Sequence, residues 1–152
     1  VTAFIVAGIL GYLVWKRYWT EAKILALASL GVLLLVDKIL KPFFYRHRPQ
    51  GRLVDVDGRS FPSGHAAGNL VLYFYLSYLL AQRYPKLTIY IYGIATLWLV
   101  LIGLSSIYLR VHWPTDILAG YGLGYICLTF CLALLKIARK REGKRLIEGG
   151  RR

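Results

Sequence analysis

Three short motifs hold the residues of this chain best suited to chemistry. They are Lys41 with Arg48 and Pro49, then Pro62-Ser63-Gly64-His65, then His112 with Asp116. Each stands at the mouth of a strongly apolar segment. Together they offer two histidines, a carboxylate, several cations and a helix N-terminus. That set can move a phosphoryl group without a metal ion, because cations stabilise the charge on the transferring group. A histidine near its ordinary pKa of about 6.5 serves as acid and then as base.

The first motif has two physical readings. Asp37 and Lys41 are four apart and pair as i, i+4 neighbours on one helix; alternatively Lys38 and Lys41 reach for the membrane interface beside Asp37. Arg48 presents a planar fork that matches phosphate oxygens, and Pro49 stiffens the backbone beside it. In the second motif Ser63 is a good N-cap ahead of Ala66, Ala67 and Gly68. The free N–H groups of that first turn make an anion site, and Gly64 allows close approach of a phosphate to the backbone. His65 then stands beside the anion; the plainer alternative is a capped helix with an interfacial histidine. In the third motif Pro114 suits the first helical position. Asp116 follows in the first turn, where the helix dipole favours its ionised form. Its carboxylate either caps its own helix or reaches back to His112. In the latter case it fixes one imidazole nitrogen and leaves the other free to attack.

These residues sit in a chain built for lipid. Of 152 residues, 57% are hydrophobic and 18% charged, with a mean hydropathy of +0.52; a soluble domain averages about a quarter charged. The length suits one domain. The net charge of +13 does not mark a nucleic-acid binder, because Lys and Arg gather at the ends of apolar runs and in the C-terminal tail, as in membrane proteins. The chain lacks Met and starts at Val1 within an apolar run, so it reads as a piece of a longer protein. Nothing at its start has the pattern of a cleavable signal. Cys127 and Cys131 lie four apart in an apolar run and read as packing residues rather than a disulfide or zinc pair.

Hydropathy predicts five membrane-spanning helices, at about 1–15, 22–44, 64–82, 87–109 and 114–135. Residues 1–135 form the membrane domain, and residues 136–152 a basic tail expected to be loose or a short surface helix. By the positive-inside rule this tail is cytoplasmic, as are the short basic loops at 16–23 and 83–86. The segment 41–62 and the turn 110–113 then fall outside. The outer segment breaks the rule, since it carries Lys41, Arg46, Arg48, Arg52 and Arg59. Cations on the wrong side suggest anion binding, and all three motifs lie on that face. Gly120 and Gly124 form a small-xxx-small pair that predicts close helix packing. The Tyr-rich stretch from Tyr73 to Tyr78 is expected to pack, and His47 to be a loop residue near the site rather than a catalyst.

The three motifs together resemble those of the type 2 phosphatidic acid phosphatase family, within the vanadium haloperoxidase superfamily. That family's signature is K-x6-R-P, P-S-G-H and S-R-x5-H-x3-D. Lys41, Arg48 and Pro49 match its first part, Pro62 to His65 its second, and Ser105, His112 and Asp116 its third. The resemblance implies an all-α, polytopic transmembrane helix bundle, with five helices visible of a six-helix core and one preceding Val1. It implies that His112 is the nucleophile that forms a phosphohistidine, with Asp116 orienting it and His65 protonating the leaving oxygen. Lys41, Arg48, Ser63 and the Gly64 backbone are implied to hold the phosphate. No cofactor or metal is implied; the partners are a lipid phosphate or pyrophosphate and the surrounding membrane lipids.

One position departs from the pattern: the arginine of the third motif aligns with Ser106. On a continuous helix Ser106 and Arg110 share a face, so Arg110 is a candidate substitute for the missing phosphate ligand, or else an interfacial cation. The expectation is a metal-independent lipid phosphate phosphatase of the plasma membrane, with its site facing outside. The rival that Ser106 favours is a weakened or non-catalytic relative that binds anionic headgroups. A transporter with an anion site is a further class, but no internal repeat or broken helix suggests one.

Overall fold

The structure, a computed structural model, describes residues 2–149, with side chains described for residues 4–143. All regular structure among the described residues is helical. Helix α1 is Thr2–Trp15. Helix α2, Trp19–Leu34, runs through a π-helical turn, Leu35–Leu40, into the short α3, Lys41–Phe44. Helix α4 is Gly64–Arg83. A 3₁₀ turn, Pro85–Leu87, leads into α5, Thr88–Tyr108, and α6 is Pro114–Gly149. These are the five expected rods, with α2 and α3 forming one of them.

Local chemistry explains the boundaries. Ser63 caps α4, its Oγ accepting from Ala66 N at 3.3 Å, and Pro114 opens α6. Helix α3 stops at Tyr45, which takes a left-handed φ of 48°. Helix α5 closes in a Schellman arrangement: Val111 N donates to Ser106 O at 3.2 Å, and Arg110 N to Ile107 O at 2.9 Å. Arg110 holds the left-handed position with φ 54°. Helix α1 ends in the same way, with Arg17 at φ 62°.

Helix α4 lies at the centre and packs on α2, α5 and α6. Its Ala67, Val71, Leu72 and Tyr75 meet Leu25 and Val36 of the α2 rod in a fully buried core. Tyr75, within the expected packing stretch, also donates to Glu21 O at 2.9 Å. Cys127 and Cys131 are unpaired, half-buried and buried on α6.

Two helical stretches, Pro85–Tyr108 and Pro114–Gly143, are long and apolar enough by composition alone to cross a membrane, and they are largely unburied by protein. Helix α5 exposes Ile89, Ile94, Leu97 and Leu101, as a lipid-facing helix does. Of the other expected spans, α1 is apolar but short, and two have a weaker apolar signal for physical reasons. Helix α4 faces protein on most sides and buries Asn69 and Ser77; the α2 rod carries Asp37 and Lys38 in its π-helical turn.

The tail differs from expectation. Helix α6 continues through residue 135 to Gly149. Arg139 explains part of this, since it donates to Glu21 Oε1 at 2.8 Å and to Gln82 Oε1 at 2.6 Å. A polar clasp thus binds α2, α4 and α6 at the end opposite the three motifs.

The two expected packing glycines set the closest approach in the bundle. A Cβ on Gly120 would lie 2.5 Å from Ser63 O, and one on Gly124 2.7 Å from Ala67 O. Both obstacles are backbone, so neither can rotate away. A Cβ on Gly122 would meet nothing within 4 Å. Gly120→Ala should therefore destabilise the detergent-solubilised protein by about 1–3 kcal/mol, the usual range for overpacking, while Gly122→Ala leaves the thermal midpoint unchanged. Equal midpoints for the two variants would refute this account of the α4–α6 contact.

Candidate active site

The site is assembled where α4 and α6 begin. Ser63 N donates to Asp116 O at 3.0 Å, so the capping residue of one helix is tied to the first turn of the other. Gly64 sits against Val36; a Cβ there would lie 3.3 Å from Val36 Cγ1. In the first turn of α4 the Ala66 N–H is taken by Ser63 Oγ, while those of Gly64 and His65 have no partner within their own helix.

Asp116 is the pivot of this end. Its side chain is 0% exposed, and a buried charge requires partners. Arg46 NH1 donates to Oδ1 at 2.9 Å, and the Trp113 backbone N–H donates to Oδ2 at 2.9 Å. The carboxylate therefore caps its own helix and also faces His112, whose Nδ1 lies 3.5 Å from Oδ2. The two alternatives open at the level of sequence are both realised by one side chain with two oxygens.

His112 is 5% exposed. Its buried Nδ1 has no hydrogen bond of good geometry and points at the carboxylate. Burial is the largest influence on its protonation and the Arg48 cation the next; both push its pKa well below the ordinary imidazole value. Asp116 and the Ser60 carbonyl pull in the opposite direction and are outweighed. The imidazole is accordingly neutral at neutral pH, the state in which a ring nitrogen keeps a lone pair.

Arg48 lies beside this imidazole. It donates to Val111 O at 2.7 Å, and to Gly58 O and Asp57 O, each at 3.2 Å. It thus braces the loop between α3 and α4 against the His112 turn while two of its five N–H donors stay uncommitted. Lys41 pairs with Asp37 Oδ1 at 2.6 Å, the i, i+4 contact anticipated for these two residues. His65 stands exposed at the start of α4, close enough to Lys41 and Arg48 to feel both charges. The structure thus brings together His112, Asp116, His65, Ser63, Gly64, Lys41 and Arg48.

Arg110 does not stand where a continuous helix would place it. Helix α5 ends at Tyr108, and Arg110 lies beyond it in the left-handed region. The continuous helix that would put Ser106 and Arg110 on one face is absent. The Arg110 guanidinium packs on the loop between α3 and α4 instead, with NH1 3.0 Å from the position of a Gly51 Cβ. Ser106 Oγ turns into its own helix and donates to Ile102 O at 2.9 Å.

Two residues of this end carry no signal in the motifs. Arg46 is visible in the sequence only as one of several loop cations. Ser60 is fully buried; its N–H donates to Arg46 O at 3.0 Å, and its hydroxyl to Arg46 O and His47 O. His47 is a loop residue that contributes its carbonyl, which also accepts from Trp113 Nε1 at 3.2 Å.

The motif order and this geometry agree with a family-wide pattern, the PAP2 superfamily, whose sequence model matches residues 22–140. The chain belongs to the PAP2 superfamily. Phosphatidylglycerophosphatase B of Bacillus subtilis is 35% identical over 120 residues, which cover 76% of this chain and 58% of that protein. The chain thus spans less than two thirds of that relative's length. Among solved structures, a transmembrane PAP2-type phosphatidylglycerolphosphate phosphatase from Bacillus subtilis superposes with a TM-score of 0.77 at 30% identity, over 88% of this chain and 70% of that one. LpxE of Aquifex aeolicus gives a TM-score of 0.71 at 31% identity, over 86% of this chain and 77% of that one. The all-α transmembrane bundle is therefore the PAP2 architecture, and the protein is a membrane protein.

In this PAP2 site the state of His112 is measurable. A ¹⁵N titration of the three imidazoles should show His112 neutral well below pH ~6.5, the unperturbed midpoint. Arg48→Gln removes a cation that disfavours imidazolium, so the midpoint should rise. Asp116→Asn removes the carboxylate that favours it, so the midpoint should fall further. A wild-type midpoint at or above 6.5 would show that burial and Arg48 do not govern this ring.

Proposed function

We propose that the protein is a metal-independent lipid phosphate phosphatase acting through a phosphohistidine. The observation that carries this is the buried Asp116 carboxylate, fixed by two donors and facing His112 Nδ1 at 3.5 Å. With the proton of the ring held on Nδ1, Nε2 keeps its lone pair. That lone pair attacks phosphorus; the P–N bond forms as the P–O bond to the lipid breaks. His65, protonated, gives its proton to the leaving oxygen. Neutral His65 then takes a proton from water, whose oxygen attacks phosphorus, breaks the P–N bond and releases inorganic phosphate. Lys41, Arg48 and the first-turn N–H groups of α4, with Ser63 and Gly64, hold the phosphate oxygens. Positive charge supplied by side chains takes the part that Mg²⁺ plays in metal-dependent phosphoryl transfer. The name of the Bacillus relative makes phosphatidylglycerophosphate the first substrate to try, with isoprenyl pyrophosphates and phosphatidic acid beside it.

The test is phosphate release from that panel in detergent. Activity should persist in EDTA and be blocked by vanadate, which mimics five-coordinate phosphorus. His112→Ala should abolish labelling of the enzyme by ³²P-substrate. His65→Ala should slow release most for the poorest leaving groups. Activity lost in EDTA and restored by Mg²⁺ would eliminate this mechanism. Ser106, turned inward, favours a second reading: a relative that binds phosphorylated headgroups without turnover. Tight headgroup binding with no phosphate release, restored to turnover by Ser106→Arg, would select that reading.

The site is assigned to the outer face of the cytoplasmic membrane. Basic residues crowd the opposite end, at Lys136, Arg139, Lys140 and Arg141, as the positive-inside rule requires. Cysteine placed at Asp57 should react with an impermeant maleimide in intact cells, and cysteine at Glu148 only after lysis. The reverse pattern would invert the topology.

A further inference from the structure

We infer that Arg46 is a positioning residue of the active site, acting on His112 through Asp116. Arg46 occupies one of the unspecified positions between Lys41 and Arg48 of the first motif, and the proposed chemistry has not used it. Its NH1 group donates at once to Asp116 Oδ1 at 2.9 Å and to Thr115 Oγ1 at 2.7 Å. The guanidinium carbon stands 5.5 Å from the centre of the Trp113 ring and 5.9 Å from that of Phe61. Two aromatic faces, one from each histidine-bearing motif region, hold the cation in place. Its own carbonyl accepts from Ser60 N and Ser60 Oγ. Arg46 thus joins the loop after α3, the segment leading into Pro62-Ser63-Gly64-His65, and the first turn of α6.

This placement has a chemical consequence. Arg46 is 39% exposed whereas Asp116 is fully buried, so the outer loop delivers the carboxylate's only side-chain cation within contact distance among the described residues. With Oδ1 occupied by Arg46 and Oδ2 by the Trp113 N–H, the carboxylate has one orientation, and Oδ2 faces Nδ1. Without Arg46, Asp116 is an uncompensated buried charge held by a single donor. A carboxyl group that neutralises itself by taking up a proton donates to Nδ1 instead of accepting from it. The imidazole proton then moves to Nε2, and the attacking lone pair is lost. A lysine reaches the carboxylate as a point charge but lacks the planar guanidinium that Trp113 and Phe61 hold in place.

The inference rests on the phosphohistidine reading, and its test separates the two. In a phosphate-release assay Arg46→Gln should lower kcat about 100-fold, the order expected when a reacting group loses its alignment, with KM changed less than about threefold. Arg46→Lys should recover part of the loss. In an Asp116→Asn background, Arg46→Gln should add less than about threefold, because its partner is already gone. Full additivity, or an unchanged kcat in Arg46→Gln, would overturn the assignment. The ¹⁵N spectrum of His112 gives a readout independent of turnover: Nδ1–H with bare Nε2 in the parent protein, and a shift toward Nε2–H in Arg46→Gln. Should the parent protein release no phosphate from any substrate, the functional reading fails while this spectrum still decides the role of Arg46. An identical tautomer in both proteins refutes it.

Discussion

Gly120 and Gly124 let α6 lie directly against the backbone that opens α4, and the geometry of the end that carries the three motifs follows from that approach. Within a bilayer, helices gain little from burying apolar surface against one another, so close packing through small residues carries the association. Here the packing also brings the Ser63 N–H to Asp116 O at 3.0 Å. Two motifs about fifty residues apart become one rigid unit. The capped start of α4 is thereby aimed at the region where Asp116 holds His112.

The second constraint is electrostatic. A fully buried carboxylate beside a buried imidazole is tolerated because Arg46 and a backbone N–H complete the hydrogen bonding of the carboxylate. The neighbouring charge bears on the imidazole too: burial first, and the Arg48 cation after it, depress the basicity of His112.

Much of this end is legible in the sequence because its chemistry is local. Ser63 as an N-cap, Pro114 as a helix start, the Asp37–Lys41 pair and the Asp116–His112 contact all follow from spacings of one to four residues. The Gly120–Gly124 pair announces close packing in the same way. Features that depend on distant residues are not legible. Arg46 meets Asp116 seventy residues away and reads in isolation as one loop cation among several. Ser60 is buried by partners fourteen residues back. The end of α5 is hidden for another reason: a Schellman closure normally advertises itself with glycine, and here Arg110 takes the left-handed position. A side chain tolerated against its backbone preference extends the apparent helix by two residues and creates a false i, i+4 relation with Ser106. The tail misleads in the opposite sense. Its glycine and charges suggest looseness, whereas Arg139 finds Glu21 and Gln82 on two other helices and carries α6 onward.

The departure at Ser106 can then be weighed by counting donors. Arg48 commits three of its five N–H groups to the carbonyls of Val111, Asp57 and Gly58, leaving two. Lys41 commits one of its three N–H groups to Asp37 and leaves two. The first turn of α4 adds backbone N–H groups that no helix can satisfy internally. In the proposed complex these donors suffice for the three outer oxygens of a phosphoryl group without a guanidinium at position 106. What the serine removes is a third fixed positive charge, and fixed charge counts most where charge is greatest, in the transition state. On the proposed reading the site separates two properties that the family pattern joins: headgroup capture, assigned to Lys41, Arg48 and α4, and rate, assigned to how firmly Arg46 and Asp116 hold His112.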